Sequence, residues 1–515
     1  MKNLVTVISI AAITVFLITT KKKKPTYNNI PVYKGGVFFF GHLFQFLKFG
    51  KKKKVHELIE DFNKSDPIIS YYFFNVEGIM TSKAELIRGV LNSKNFVRDD
   101  FAIKAFEGIS KFSLFVLPTS DLWKKHRKMI QPAFAPQHLE RSFNVTSEVC
   151  DRLFALIEDG SNNVPMHDYL NYISCDVIGK VAFSYDFEFT NSIKNLKDPK
   201  FNVIRQFDSI ASNYEKNFSE LKFFLAAVGM RIATPKVLWG LLGAYPDKGT
   251  HANISNTVRR IVQEKKSGVS ENKSYAEAAV GKWEMDVLDR LLENSSETES
   301  DPHESEEAPF TDEELCDEIF GFFLAGHETT ANSLSFMLLE LTKYPLIAKR
   351  LTEEIDPVMN DGNFAFQKLG ELKYLDCFIK ESLRMHPVLP GIGKVASKDE
   401  FLGEYFIKKG TPVMANLMCV HFSEQYWDKP KVFLPERWEN NFTPVPGSYA
   451  PFGDGPHNCI GQKLALIEMK VVLSKILHTF DFVPREGQNF DVVYNLTMRL
   501  KDGIYLNLKK RKHVK

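Results

Sequence analysis

The chain has 515 residues, of which 44% are hydrophobic and 13% aromatic, and its formal net charge is +2. This composition is typical of a globular protein with a large apolar interior and excludes a disordered or fibrous one. The net charge indicates no particular class of partner, and we expect no nucleic acid among the partners. The six cysteines form no Cys-x-x-Cys pair, which favours free thiols in a reducing compartment.

The chain begins with an uncharged, mostly apolar run over residues 4–20. As a helix it would be about 26 Å long at roughly 1.5 Å per residue, which is marginal for a bilayer. A cleaved signal peptide is the alternative, but four lysines follow the run where a small-residue cleavage site would be needed. Those lysines place the C-terminal side in the cytoplasm. We therefore expect an N-terminal transmembrane anchor at 4–20, a linker and membrane-proximal segment at 21–60, and one folded domain at 61–515.

Most of the folded domain has a helical pattern. Up to about residue 290 the pattern is mainly helical, without a repeat or a domain boundary. Residues 294–309 are acidic and polar and predict an exposed loop. Alternating residues with Pro and Gly between Val388 and Val413 predict a small sheet.

A long buried helix is predicted after the acidic loop. Thr311 and Glu314 have the spacing of a capping box, and apolar residues then lie nearly all round the helix as far as Pro345. Glu328 and Thr329 are polar in this apolar setting, which is costly unless they are partnered or used. The alternative for Thr329 is a hydrogen bond back to the Ala325 carbonyl one turn earlier.

The segment Phe452–Gly461 carries a cysteine in a glycine-rich turn before a helix. Its three glycines, Gly453, Gly455 and Gly461, would let the backbone turn tightly and approach a flat ligand. Cys459 would then lie where a helix N-terminus favours an anion, which suits a thiolate bound to a metal. A buried structural cysteine is the alternative.

Two further pairs of residues accompany this loop. Glu381 and Arg384 lie three apart on a predicted helix, and Arg437 follows before the cysteine loop. Upstream, Trp123 and Arg127 share one helical face. Each pair alone also fits an ordinary solvated helix surface.

In this order, from about Trp123 to the C-terminus, these motifs resemble those of the cytochrome P450 family. The resemblance implies that Cys459 is the proximal ligand of haem iron, within a haem-binding loop that includes Phe452 and His457. It also implies that Ala325 lets the long helix approach the haem, and that Glu328 and Thr329 deliver protons to bound dioxygen.

The remaining roles follow from the same resemblance. Trp123 and Arg127 would bond one haem propionate and Lys394 the other, while Glu381, Arg384 and Arg437 would form a buried charged network. Two positions depart from the family, because His457 and Lys394 stand where arginine is common. Both can still donate to a carboxylate, although less rigidly than a guanidinium, so the pH dependence of haem binding stays open.

As a member of the family the chain would be a mainly α protein with a small β-sheet subdomain, and a monooxygenase containing haem b (iron protoporphyrin IX). It would use O2 and electrons from NADPH to hydroxylate a lipophilic small molecule. The electrons would come through a separate NADPH-cytochrome P450 reductase, with cytochrome b5 as a further donor. The protein would lie in the endoplasmic reticulum membrane, with the catalytic domain in the cytoplasm.

Three questions stay open at this point. Apolar segments at 101–117, 201–230, 388–393 and 496–498 would line the substrate pocket by analogy, but they do not identify the substrate. Five lysines could dock the reductase or simply be solvated: Lys124, Lys125, Lys128, Lys463 and Lys470. A P450-type isomerase or dehydratase and a non-catalytic thiolate-haem sensor are the alternative functions.

Overall fold

A computed structural model of the chain describes residues 29–33, 61, 66–73, 76–98, 110–191, 193, 248–267, 285–293, 309–360, 364–494 and 497–512. The predicted anchor lies outside these residues, as do most of the predicted linker and acidic loop. The expected pocket segment at 201–230, residues 101–109 and residue 496 lie outside them too. Among the described residues, no helix combines the length and the hydrophobicity needed to cross a bilayer.

Helices make up most of the described chain. They are α1 (Ala84–Asn92), α2 (Asp121–Ile130), α3 (Leu139–Leu156), α4 (Met166–Phe183), α5 (Lys248–Lys266), α6 (Val287–Glu293), α7 (Asp312–Lys343), α8 (Pro345–Asn360), α9 (Lys373–Met385), α10 (Leu417–His421) and α11 (Gln462–Thr479). Short 3-10 helices occur at Gln131–Phe134, Pro136–His138, Phe366–Gly370, Pro435–Trp438 and Gly455–His457.

Short strands form four small sheets. The strands are β1 (Ile68–Phe73), β2 (Val76–Thr81), β3 (Phe96–Arg98), β4 (Val164–Pro165), β5 (Ile392–Ala396), β6 (Glu400–Leu402), β7 (Tyr405–Ile407), β8 (Pro412–Ala415), β9 (Phe480–Pro484), β10 (Val492–Tyr494), β11 (Met498–Leu500) and β12 (Tyr505–Lys510). The largest sheet has the order β1-β2-β8-β5-β3, and the others are β4-β12-β9, β10-β11 and β6-β7.

The long helix α7 crosses the interior as the sequence predicts. Thr311 Oγ1 accepts from the Glu314 amide at 3.2 Å, and Glu314 accepts from the Thr311 amide at 2.8 Å, which completes the capping box. Most of the side chains that follow are buried. Gly326 allows close packing on α4, because a Cβ there would lie only 2.8 Å from Ile178 Cγ1.

The largest sheet joins distant parts of the chain. The described region before residue 290 is mainly helical, as expected, but it also contains β1, β2 and β3, which were not predicted. These strands are short, and β2 finds a parallel partner in β8 while β3 pairs with β5, so tertiary pairing decides their conformation. The sheet predicted between Val388 and Val413 is confirmed, because β5, β6, β7 and the first half of β8 fall there.

Candidate functional site

The cysteine loop, Phe452–Gly461, closes on itself just before α11. The Cys459 amide donates to the Phe452 carbonyl at 2.8 Å. Gly453 and Gly455 have φ of 72° and 70°, and a Cβ on Gly455 would lie 2.4 Å from the Leu91 carbonyl oxygen, so that position requires glycine. Gly461 also lies in a turn, but its φ of −87° is one that any residue adopts, so glycine is not required there.

The protein by itself favours the thiol form of Cys459. Desolvation by the surrounding protein raises the pKa of the thiol, although Cys459 keeps an exposed surface and the Gly461 amide and the Arg127 guanidinium lower the pKa. The amide at the start of α11 thus acts in the direction that the sequence predicts, but it does not outweigh desolvation. Cys459 is one of the residues that line a pocket of about 730 Å³, which is bounded by residues of α2, the following 3-10 turns and the start of α11.

His457 is held on three sides within the cysteine loop. Its ring stacks on Trp123 with centroids 4.0 Å apart, Nε2 lies 2.9 Å from Thr119 Oγ1, and Nδ1 lies 3.3 Å from Arg98 Nη2. Burial and the nearby cations, Lys394 first, lower the pKa of His457 to about 3. The ring is therefore neutral at physiological pH, unlike the arginine that is common there.

Arg127 anchors the cysteine loop to α2. Its guanidinium donates to the Asn458 carbonyl at 3.0 Å and to Asn458 Oδ1 at 2.8 Å. Arg127, which the sequence resemblance assigns to a haem propionate, thus also fixes the backbone next to Cys459. Burial lowers the pKa of Arg127.

Cations gather near the cysteine loop, and among the described residues the carboxylate of Glu318 only partly offsets the charge of Arg98. Arg98 and Lys394 lie opposite each other in the pairing of β3 with β5. Burial and, for Lys394, repulsion by Arg98 lower their pKa values to about 10 and about 8. Among the described residues, Arg98, Lys394 and Arg127 form no ion pair. We call Arg98, Arg127, Lys394 and the neighbouring His457 the cation cluster.

Trp123 adds an unused donor to this cluster. The side chain is buried, and its indole Nε1 has no hydrogen-bond partner among the described residues. A buried donor without a partner is unusual in a folded protein. Together with the cations and a sulfur ligand, it suits a ligand that carries both a metal and anionic groups.

Sequence reasoning missed Arg98. The residue belongs to no motif and ends a strand of only three residues. Only the pairing of β3 with β5 brings it to Lys394, almost 300 positions later in the chain.

The two polar residues of α7 that the sequence singled out, Glu328 and Thr329, form hydrogen bonds with different partners. Thr329 Oγ1 donates to the Ala325 carbonyl at 2.8 Å, which is the back-bonding alternative that the sequence left open. Glu328 Oε1 instead accepts from Thr497 Oγ1 at 2.6 Å, and Asn332 Nδ2 donates to the same hydroxyl at 3.0 Å. Thr497 and Asn332 were not predicted, because hydroxyls and amides are common and only the tertiary structure brings them to Glu328.

The charged residues on α9 form the Glu381 network, which consists of Glu381, Arg384 and Arg437. Arg384 donates to both Glu381 carboxylate oxygens at 2.9 and 2.8 Å, and Arg437 Nε donates to one of them at 3.0 Å. The Trp438 indole and the Leu434 amide add bonds of 2.9 Å each. The structure thus brings all three predicted members together.

His421 connects this network to the cysteine loop. Its Nδ1 donates to the Arg384 carbonyl at 3.0 Å, and its Nε2 accepts from the Ala450 amide at 3.2 Å, two residues before the loop begins. Burial lowers the pKa of His421 to about 3, which keeps the ring in the neutral form that these two bonds require.

The structure separates the five lysines proposed for docking. Lys125 is buried over the Phe310 ring, so neither docking nor solvation, the two interpretations that the sequence left open, fits it. Lys470 is bound to Asp376 at 2.7 Å, and the exposed Lys124 is bound to Asp121 at 2.6 Å. Lys128 and Lys463 are exposed.

Comparison with known proteins gives a family that fits this geometry. Residues 31–508 match the family model for cytochrome P450. Cytochrome P450 4d8 of Drosophila melanogaster is 27% identical over 86% of this chain and 94% of its own length. Cytochrome P450 3A9 of Rattus norvegicus is 30% identical over 70% of this chain and 68% of its own, and cytochrome P450 3A5 of Homo sapiens is 28% identical over 72% and 70%. With its cysteine loop and nearby unbalanced cations, the chain belongs to the cytochrome P450 family of haem-thiolate monooxygenases.

Proposed function

We propose that Cys459 is the axial ligand of haem b, and that the protein hydroxylates a lipophilic small molecule with electrons from NADPH. The cation cluster and the unpartnered Trp123 indole carry this proposal. Buried charges and donors without partners are costly. The two propionates of a haem would supply the missing carboxylates beside the cysteine loop.

The protein groups have distinct tasks around this cofactor. When bound, the haem supplies activation of dioxygen and insertion of one oxygen atom into a C–H bond. Arg98, Lys394 and Trp123 would hold the propionates, and Arg127 would keep the cysteine loop in place. Cys459 would bind the iron as a thiolate, which the Gly461 amide stabilises.

Proton delivery would depend on α7. Thr329 Oγ1 can turn from the Ala325 carbonyl to a polar ligand in the site, since a hydroxyl rotates at low cost. Glu328 Oε1 would supply protons from the position that Thr497 gives it. Ala325, one turn before Thr329, leaves room on the side of the helix that faces the cofactor.

The cellular setting follows the sequence prediction. Residues 4–20 would anchor the protein in the endoplasmic reticulum membrane, residues 21–60 would link the anchor, and residues 61–515 would form the cytoplasmic catalytic domain. A separate NADPH-cytochrome P450 reductase would supply electrons, with cytochrome b5 as a second donor. The exposed Lys124, Lys128 and Lys463 support an acidic docking partner on the side of the cysteine loop.

The absorbance spectrum of the reduced protein with carbon monoxide tests the iron ligand. We expect the red-shifted band of thiolate ligation, and its loss in Cys459→Ser. A wild-type band typical of neutral thiol or histidine ligation would contradict the proposal. Spectral-shift titrations across fatty acids, sterols and terpenoids would then identify the substrate class.

Thr329→Ala tests the chemistry. With reductase and a bound substrate, we expect the product formed per NADPH to fall several-fold, because proton delivery is lost. Thr352→Ala is the matched control, since Thr352 makes the same kind of back-bond, to Ala348 at 2.9 Å, on α8. An unchanged yield would remove Thr329 from the mechanism, and no NADPH use with any substrate would favour a sensor or an isomerase.

A further inference from the structure

We infer that Glu318 is a positioning residue that holds Arg98 at the cysteine loop by ordering the backbone of residues 110–117. The inference rests on the proposed haem function, because Arg98 is assigned there to a propionate. Glu318 lies on α7, two turns before Ala325, and is almost fully buried. Its effect on Arg98 would pass through the backbone of the intervening segment.

Carboxylates of α7 bind the amides of segment 110–117. Glu318 Oε1 accepts from the Leu114 amide at 2.7 Å, and Asp317 Oδ2 accepts from the amides of Lys111 and Phe112 at 2.6 and 2.7 Å. The segment is irregular apart from one turn, in which the Val116 and Leu117 amides donate to the Ser113 carbonyl at 2.9 Å. The position of this turn depends on the α7 carboxylates, since hydrogen bonds from amides to carboxylates are among the strong ones.

The backbone of α7 also approaches the segment closely. A Cβ on Gly321 would lie 2.6 Å from Ser113 Cβ, so glycine is needed at this crossing. This approach brings Glu318, three residues earlier on α7, within reach of the Leu114 amide.

The carbonyls of the same segment bind Arg98. Arg98 Nη1 donates to the carbonyls of Leu114, Phe115 and Leu117 at 2.8, 2.8 and 2.9 Å. The other terminal nitrogen, Nη2, faces His457 at 3.3 Å. Three acceptors around one nitrogen determine where the guanidinium lies, whereas β3 fixes only its backbone. Any shift of the segment would move the cation.

Glu318 also binds the helix that carries Trp123 and Arg127. His126 Nδ1 lies 2.5 Å from Glu318 Oε1, and His126 Nε2 lies 3.5 Å from Glu314 Oε1. Burial opposes a charge on His126, but the two acids outweigh it and raise the pKa of the histidine. Burial raises the pKa of Glu318, although His126 and the Leu114 amide act against it. One carboxylate oxygen thus joins α7, α2 and the segment that holds Arg98.

The test compares Glu318→Gln with Glu313→Gln in the haem-loaded full chain. Glu313 is exposed on the same helix, so the control removes the same charge without touching the segment. Two properties would be measured: amide hydrogen exchange of residues 110–117 and the propionate-bending bands in the resonance Raman spectrum. Neither measurement depends on turnover.

For Glu318→Gln we expect amides of the segment to exchange about tenfold faster, as loss of a charge-assisted hydrogen bond would produce. We also expect a shift in the propionate bands, with no change in Glu313→Gln. A purely structural role would lower stability but leave the propionate bands in place, and that result would overturn the inference. If Glu318→Gln does not retain haem, Glu318→Asp replaces it, because the shorter acid keeps its charge but withdraws from the Leu114 amide.

Arg98→Lys separates this inference from the proposed function. Should this variant leave the propionate bands and the haem dissociation rate unchanged, the assignment of Arg98 to a propionate is wrong, and the inference is overturned with it. Should Arg98→Lys shift the bands while neither Glu318 variant does, only the inference is overturned.

Discussion

The Glu381 network and the cation cluster are both buried groups of charged residues, but only the network is balanced by the protein's own groups. Glu381 accepts five hydrogen bonds from Arg384, Arg437, Trp438 and Leu434. The cation cluster contains three permanent or near-permanent cations and no carboxylate. The pKa of Glu381 is lowered, since Arg384 and Arg437 outweigh its burial, whereas the pKa values of Arg98 and Lys394 are lowered because burial is not compensated.

This difference separates a structural role from a binding role. A charged group that is satisfied within the protein stabilises the fold and leaves nothing for a ligand to add. A group with unused donors and excess charge is stable only at a cost, which an anionic ligand would remove. Five predictions test whether the two groups differ in this way.

The largest effect is expected from Glu381→Gln. The substitution leaves Arg384 and Arg437 without a buried counter-charge, which costs on the order of 3 to 5 kcal/mol in the free energy of unfolding. Urea unfolding would measure it. Glu439→Gln is the control, because the exposed pair with Arg350 contributes only about 0 to 1 kcal/mol. Equal effects of the two substitutions would show that the Glu381 network contributes no more to unfolding stability than an exposed ion pair does.

Lys394→Met should act on haem binding rather than on the fold. We expect haem to dissociate about 10 to 100 times faster, since a buried charge-assisted contact contributes roughly 1.5 to 3 kcal/mol. Exchange of haem into excess apomyoglobin measures the rate. Lys398→Met is the control, because Lys398 is exposed just beyond β5. A loss of unfolding stability without faster haem release would show that Lys394 stabilises the fold and does not bind haem.

Lys394 also predicts a pH dependence. Its pKa is about 8 in the protein alone, and a propionate would raise it again. Haem binding therefore takes up a proton above pH 8, so haem affinity should be level below that pH and fall as the pH rises through it. Lys394→Met should lose this dependence.

Two indoles allow a matched test of the comparison. Trp123→Phe removes a donor that has no partner among the described residues, whereas Trp438→Phe removes one that binds Glu381 at 2.9 Å. We expect Trp123→Phe to speed haem dissociation about tenfold with little change in unfolding. Trp438→Phe should instead lower unfolding stability by about 1.5 kcal/mol. The reverse pattern would contradict both assignments.

His457→Gln should have the smallest effect. The ring of His457 is neutral, because its pKa is about 3, and it adds no charge to the cation cluster. Haem dissociation should change by no more than about threefold, the equivalent of a fraction of one hydrogen bond. Soret spectra of the wild-type protein should not titrate between pH 5 and 8, and a transition there that His457→Gln removes would show that the histidine carries charge.

Local sequence patterns were sufficient to predict the long helices. The capping box at Thr311 and the apolar surface all round the helix predicted α7, because both signals lie within one continuous stretch. The i,i+3 spacing of Glu381 and Arg384 on a helix likewise placed both on one face. By contrast, strands β1 to β3 escaped prediction, since each is stabilised by pairing with distant chain or with a neighbouring short strand.

The cysteine loop shows the limit of motif reasoning. The sequence correctly placed glycines at two positions that need positive φ. It did not show that the surrounding protein raises the pKa of Cys459, because desolvation depends on what surrounds the loop. For His457 the sequence left the charge open, and burial of the ring, followed by the positions of Lys394 and Arg98, decides it.

By itself, the sequence determined the order of the motifs, the buried helix with Glu328 and Thr329, and the cysteine that marks the family. These features depend only on residue type and spacing, so they are visible before the fold is known. Only the tertiary structure decided that Arg98 faces Lys394, that Thr497 binds Glu328, and that Glu318 organises residues 110–117. Each of these contacts joins residues more than 150 positions apart in the chain. Local sequence patterns relate only residues that are a few positions apart, so they could not predict these contacts.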